Sequence, residues 1–391
     1  MKSTAPSDPY RIFFPLGILL GLGGVSIWPL YYFGLLTGYW GISHAFIQSN
    51  GFLFCFIAGF LLTAVPKFTG TTTPSRPAQW ALALLIIIGA VALELQNYEI
   101  GQTAFAVAYV MLLFLVITRF SHRHGPLPET FSLIGIAIIT GTAGAIVNAL
   151  SAWNMIDGNW ALAGKRSLTE GMALLLVMGV GGFLGPRLLG FERLAAIQIG
   201  GVESTPKYRD ITIVRRSLYA LAGIIILISI VTEYEFNMAW MSFVRAFVAT
   251  TVILITLQPW RLPVVRTTLS WCVWTANLFI IVALWLVSFF PQYQVDFLHV
   301  LFIGGFTLLI LAVGMRVTLS HGGHGLATEQ KNWPLRVGLT LGLIAMLARV
   351  GAPFSPASYS EHLALAAILW IVALAVWGWR LLRLIGKKYE V

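Results

Sequence analysis

The chain is dominated by apolar stretches, each long enough to cross a lipid bilayer, which takes about 20 residues of helix. About twelve can be counted, near residues 11–33, 45–66, 78–96, 100–120, 129–150, 167–189, 215–233, 237–258, 264–289, 295–319, 333–351 and 360–384. Only 10% of the 391 residues are charged, against roughly 25% in a soluble domain. The pattern predicts an all-α, polytopic integral membrane protein with about 12 transmembrane helices in one bundle, and residues 1–391 as a single domain.

Positive charge divides unevenly between the two ends of these helices. If the helices alternate in direction, all but four of the 25 Lys and Arg residues lie on the face that carries both termini. The exceptions are Lys165, Arg166, Arg245 and Arg349. Because basic residues mark cytoplasmic loops, both termini are predicted to be cytoplasmic, with the longest loop, about 187–216, on the same side. The net charge of +10 then indicates the lipid bilayer and no nucleic acid as partner.

Small and polar residues follow one line along the second predicted helix, at steps of three or four: His44, Gln48, Gly51, Cys55, Gly59 and Thr63. Such a line lets a helix approach its neighbour closely. Packing alone explains most of these positions. His44 stands apart, because a histidine at the membrane edge is costly unless it pairs, hydrogen-bonds or binds a ligand.

Two histidines lie at the same predicted depth near the periplasmic face. His44 opens the second helix and His299 opens the tenth. Two neutral imidazoles from separate helices suit haem iron, and imidazole also suits copper. This pair is therefore the first candidate for a metal or cofactor site.

Arg245 and Arg349 lie near that depth and could contact an anionic group such as a haem propionate. Two alternatives stay open. Arg245 could instead pair with Glu233 or Glu235, and Arg349 could extend to the membrane interface.

A second pair of histidines lies near the predicted cytoplasmic face. His321 and His324 are separated by two glycines, a spacing that two metal ligands can use, but no third or fourth ligand accompanies them. His299 and His321 are 22 residues apart, which is about 33 Å of helix. One metal cannot bind both, so the sequence predicts two separate candidate sites.

Several motifs are missing from the chain. It contains no phosphate-binding GxxxxGK[ST] loop, no CxxCH, no CxxC and no HExxH. Any haem would be haem b, held without covalent attachment, and no catalytic residue can be assigned. The glycine-rich run Gly179–Pro186 is expected to break or kink the sixth helix, and Asn277 is expected to hydrogen-bond another helix.

Two blocks of sequence resemble a known family. IAGFLLTAVPKFTG at 57–70 and HVLFIGGFTLLILAVGMRVTLSHGG at 299–323 are similar to signatures of the NnrS family. The resemblance implies a multi-pass protein of the bacterial inner membrane, associated with haem, copper and nitric oxide stress. Its expected ligand is a small diatomic molecule such as nitric oxide.

The chain departs from the family pattern at two places. Where the family has His–Ala–His–Glu–Met, this chain has His44–Ala45–Phe46–Ile47–Gln48, and an arginine of the family is missing from Gly181–Pro186. The resemblance therefore implies a divergent member with haem alone or with an altered site. The rival hypothesis is a membrane carrier, or the membrane subunit of a larger complex, without a metal cofactor and with a water-filled cavity.

Overall fold

The computed structural model describes residues 8–38, 40–191, 194, 206–324 and 332–386. These residues are mainly helical and contain no strand, so the all-α membrane fold is confirmed. All twelve predicted stretches are helices. They are α1 Tyr10–Tyr32, α2 Gly41–Thr69, α3 Arg76–Glu94, α4 Tyr98–Ser121, α5 Glu129–Ala152, α6 Gly158–Leu189, α7 Ile211–Glu235, α8 Met241–Leu257, α9 Thr268–Phe289, α10 Pro291–His321, α11 Trp333–Phe354 and α12 Pro356–Gly386.

Eleven of these helices are long and apolar enough to span a membrane, and α8 is an apolar helix of 17 residues. Residues 192–193 and 195–205 of the predicted long loop lie outside the described residues.

The helices form three consecutive units of four. In each unit the last two helices pack together, as α3 on α4, α7 on α8 and α11 on α12. The last helix of each unit also packs on the first helix of the next, as α4 on α5 and α8 on α9, and α12 packs on α1. The first helix of each unit packs on the third, as α1 on α3, α5 on α7 and α9 on α11, and these contacts close a ring of nine helices around α2, α6 and α10.

The second helix of every unit contains a stretch of π-helix. These stretches are Ile47–Leu53 in α2, Ser167–Ala173 in α6 and Val300–Thr307 in α10. A glycine in the left-handed conformation follows the first π residue by 23 positions in all three: Gly70 with φ 70°, Gly190 with φ 79° and Gly323 with φ 65°. The matching register identifies the units as structural repeats. Equivalent helices are four apart in the chain, which is an even number. If successive helices alternate in direction, the repeats therefore run in the same direction.

The line of small residues on α2 packs against α1, as the packing alternative predicted. Gln48 Nε2 donates to the Gly21 carbonyl oxygen at 3.0 Å, and the Tyr10 amide donates to Thr63 Oγ1 at 3.1 Å. Between them, a Cβ on Gly59 would lie 2.8 Å from the ring of Phe14. The absence of side chains here lets α1 and α2 pack closely over most of their length.

The expectation that Gly179–Pro186 breaks α6 is wrong. The α-helix continues through Pro186 and ends only at Leu189, before the left-handed Gly190. Most glycines of this run serve close packing: a Cβ on Gly179 would lie 2.9 Å from Ile134, and one on Gly185 would lie 2.0 Å from Leu257. The packing of α5 and α8 against these glycines accompanies a helix that stays continuous through the run.

Candidate functional site

His44 lies three residues before the π-helix of α2 and faces α1. Its Nδ1 is 2.7 Å from the carbonyl oxygen of Gly24. A carbonyl oxygen can only accept, so Nδ1 carries the hydrogen and the neutral ring keeps its lone pair on Nε2. The Trp28 ring packs edge-on against the imidazole, with centroids 5.4 Å apart. The ring orientation and its tautomer are therefore both set by α1.

His299 lies directly before the π-helix of α10 and shows the same arrangement. Its Nδ1 is 2.7 Å from the carbonyl oxygen of Val295, one helical turn earlier, so its lone pair also lies on Nε2. The ring of Phe302 lies 5.8 Å away. A backbone carbonyl that orients an imidazole in this way is the usual outer partner of a metal-binding histidine.

The structure brings the two histidines to the same end of the bundle. His44 lies close enough to His299 to act on it electrostatically. Both imidazoles also share Arg349 and Lys165 as charged neighbours. The site thus combines two half-buried imidazoles from α2 and α10 with cations from α6 and α11.

Arg349 forms an ion pair next to His299. Its Nη1 lies 2.5 Å from Oδ1 of Asp296, and both side chains are largely buried. The pair joins α11 to the first turn of α10. Arg349 therefore lies inside the bundle at this site, and contact between it and a cofactor stays a prediction.

Arg245 forms ion pairs with carboxylates inside the bundle. Its Nη2 lies 2.9 Å from Oε2 of Glu170 and 2.7 Å from Oε2 of Glu233. The alternative that Arg245 pairs with Glu233 is therefore confirmed. With a carboxylate on either side, Arg245 already has the anionic partners that a buried guanidinium needs.

Glu170 was not predicted, and it lies at the centre of this network. The side chain is fully buried within the π-helix of α6 and also accepts from Arg166 Nη1 at 2.9 Å. Arg166 Nη2 donates in turn to Gln294 Oε1 at 2.8 Å, beside the start of α10. The network connects α6, α8 and α10. A lone carboxylate inside the apolar stretch 167–189 was the signal that could have identified it.

Lys165 is the cation of this site without an acidic partner. Its Nζ lies 5.8 Å from the centre of the Phe46 ring, and no carboxylate oxygen lies within 4.0 Å among the residues that the structure describes. The side chain is half-buried. A desolvated ammonium next to two neutral imidazoles favours an anionic group there.

The repeat places Phe46, Arg166 and His299 at equivalent positions, each directly before a π-helix. Phe46 is half-buried, and its ring lies 5.8 Å from Lys165 Nζ. The position directly before the π-helix therefore carries an imidazole in α10 but no nitrogen ligand in α2.

His321 and His324 lie at the opposite end of α10 from His299, as predicted. The His321 ring packs edge-on against Tyr10, with centroids 6.1 Å apart, and His324 Nε2 lies 3.3 Å from the carbonyl oxygen of Leu384. Within the described ranges, no group of three or more His, Cys, Asp or Glu residues could hold a metal ion. Metal binding by His321 and His324 stays a prediction.

The donor set at His44 and His299 fits haem better than copper. Two imidazoles that each keep an unprotonated Nε2 would suit haem iron, and Lys165 and Arg349 would be the cations available to its propionates. A protein copper site of the common type takes three or more ligands, which this part of the chain does not assemble.

The fold and the site define a polytopic α-helical membrane protein with a histidine pair at one end of the described helical bundle. A family model described as NnrS protein matches residues 6–388, nearly the whole chain. The chain belongs to the NnrS family. This membership supports a membrane protein associated with nitric oxide stress. No curated protein matches the chain.

Proposed function

We propose that this protein binds haem b without covalent attachment between His44 and His299, in the bacterial inner membrane. The observation that carries the proposal is the shared geometry of the two imidazoles. Each donates Nδ1–H to a backbone carbonyl at 2.7 Å and so keeps Nε2 as the ligand nitrogen. When bound, haem iron would supply the chemistry of electron transfer, and of binding a small diatomic ligand such as nitric oxide where one of the two imidazole ligands gives way to it.

The chain's own residues orient the two imidazoles and would neutralise the charge of the propionates. Gly24 and Val295 hold the two imidazoles through their carbonyl groups. Lys165 and Arg349 lie near both rings and would balance the charge of the propionates. Trp28 and Phe302 pack against the imidazoles and would restrict access of water. Binding of a diatomic ligand, sensing of that ligand and electron transfer are all compatible with this site, and no catalytic turnover is proposed.

An absorbance spectrum of the purified full-length protein tests the proposal. A Soret band, present on purification or restored by added haem, is expected. Absence of the band in both preparations would overturn haem binding.

The rival hypothesis of a carrier predicts a water-filled cavity. The central cavity among the described residues is apolar instead, with Asn277 as the polar exception in its wall. This observation favours a protein that handles an uncharged ligand over a carrier of polar solutes.

A further inference from the structure

An apolar cavity of about 130 Å³ lies between α2, α6 and α10, the three helices that carry the π-helices. The residues that line the cavity follow the repeat. At five levels, equivalent positions of α2, α6 and α10 each contribute one residue to the wall. The first set is Leu53, Ala173 and Phe306, at or beside the ends of the π-helices. The cavity therefore lies on the axis of the threefold repeat and begins below the segments that follow His44 and His299.

The cavity owes its space to an exception in the repeat. At one level, α2 carries Leu61 where α6 has Gly181 and α10 has Gly314. A Cβ on Gly181 would meet nothing closer than Val177 Cγ1 at 4.0 Å, whereas one on Gly314 would lie 3.2 Å from Trp377. Gly314 thus serves helix packing. Gly181 leaves open space that a side chain could fill.

The chemistry of the wall determines what can occupy this space. Asn277 is buried; its Nδ2 donates to the Val273 carbonyl at 2.7 Å, and its Oδ1 has no hydrogen-bond partner among the described residues. Its hydrogen bond therefore lies within α9, and the expectation of a bond to another helix is wrong for the described residues. A buried water needs two to four polar partners, so one amide oxygen does not hold it. An apolar cavity of about 150 Å³ stays dry and binds benzene or xenon. The space therefore suits a small, uncharged, apolar molecule.

We propose that this axial cavity is a binding site for a small uncharged gas molecule, which it holds below the histidine pair. The inference rests on the proposed function only for the identity of that gas. In α2 and α10 the π-helices separate the cavity from His44 and His299. A gas dissolved in the membrane interior would thus be concentrated next to the site of ligand binding.

Xenon is the probe that tests the cavity, because it needs neither haem nor a reaction. Crystals of the full-length protein under xenon pressure are expected to show an anomalous peak beside Gly181 and Asn277. Gly181→Leu, which restores the side chain that α2 carries at Leu61, is expected to abolish the peak. Gly181→Met provides a second filling variant with a more adaptable side chain.

The matched control is Gly23→Leu. Gly23 also lies within a helix, and a Cβ there meets nothing within 4 Å, but it lies on the exposed side of α1. This variant is expected to keep the xenon peak. No peak in the wild type, a lipid acyl chain in the cavity, or an unchanged peak in both filling variants would overturn the inference. The Soret band tests haem binding separately, so either proposal can fail alone.

Discussion

Glu170 Oε2 and Arg245 Nη2 lie 2.9 Å apart, with 0% and 1% of their side chains exposed. The pair joins a π-helical turn of α6 to α8. A charge removed from water in this way needs a partner, and removal of one member of a buried ion pair is strongly destabilising.

Loss of Glu170 is therefore expected to destabilise the bundle strongly. Glu170→Ala leaves Arg245 with Glu233 alone and removes the carboxylate partner of Arg166, for a cost of about 3–5 kcal/mol in the free energy of unfolding. Thermal or denaturant unfolding in detergent measures it. The control is Arg215→Gln, which breaks the 3.7 Å pair with Glu129 at a side chain that is 43% exposed, and should cost below about 1 kcal/mol. Equal losses in the two variants would contradict this account of Glu170.

Gly24 is expected to be essential for the orientation of His44. A Cβ there would lie 2.7 Å from both Ile47 and Gln48, so Gly24→Ala should push α2 away from α1. Overpacking of this kind costs about 1–3 kcal/mol, and the haem spectrum should shift as His44 turns. Gly23→Ala is the control, since its Cβ meets nothing within 4 Å. A spectrum and a stability that do not distinguish these neighbouring variants would contradict the role of Gly24.

Lys165 is expected to contact an anionic group of the bound cofactor. Lys165→Met should weaken haem binding by roughly ten- to a hundredfold in a titration followed by absorbance, since a hydrogen bond to a charged group contributes about 1.5–3 kcal/mol. Lys165→Arg should retain most of the affinity. Haem dimethyl ester, which has no propionate charge, separates the causes. An equal loss with the ester would mean that Lys165 acts on the fold and not on the propionate.

The sequence predicted what depends on local composition. Twelve apolar stretches became twelve helices, and the two histidines of α10 lie at its opposite ends. The pairing of Arg245 with Glu233 was among the alternatives, because 12 positions separate them across a single turn between helices. Each of these conclusions needs only length, charge or near neighbours in the chain.

Features that depend on distant segments were not predicted. Glu170 meets Arg245 across 75 positions, so nothing local to either residue indicated the pair. The three π-helices are a feature of backbone geometry, and the composition of the apolar stretches does not indicate them. The cavity beside Gly181 depends on how α2, α6 and α10 pack around one level, where Gly314 is in close contact with Trp377 and Gly181 is not. The glycine-rich run looked like a helix breaker, since the sequence does not show which side chains pack against it.

The histidine pair is tested most directly by the absorbance spectra of three variants beside the wild type. His44→Ala and His299→Ala each remove one proposed axial ligand, whereas His122→Ala removes an exposed imidazole whose Nδ1 bonds Thr118 at the other end of the bundle. The account predicts a Soret band in the wild type and in His122→Ala, and a lost or shifted band in the other two. A wild type that stays colourless after haem addition, or a band unchanged in both His44→Ala and His299→Ala, would contradict it.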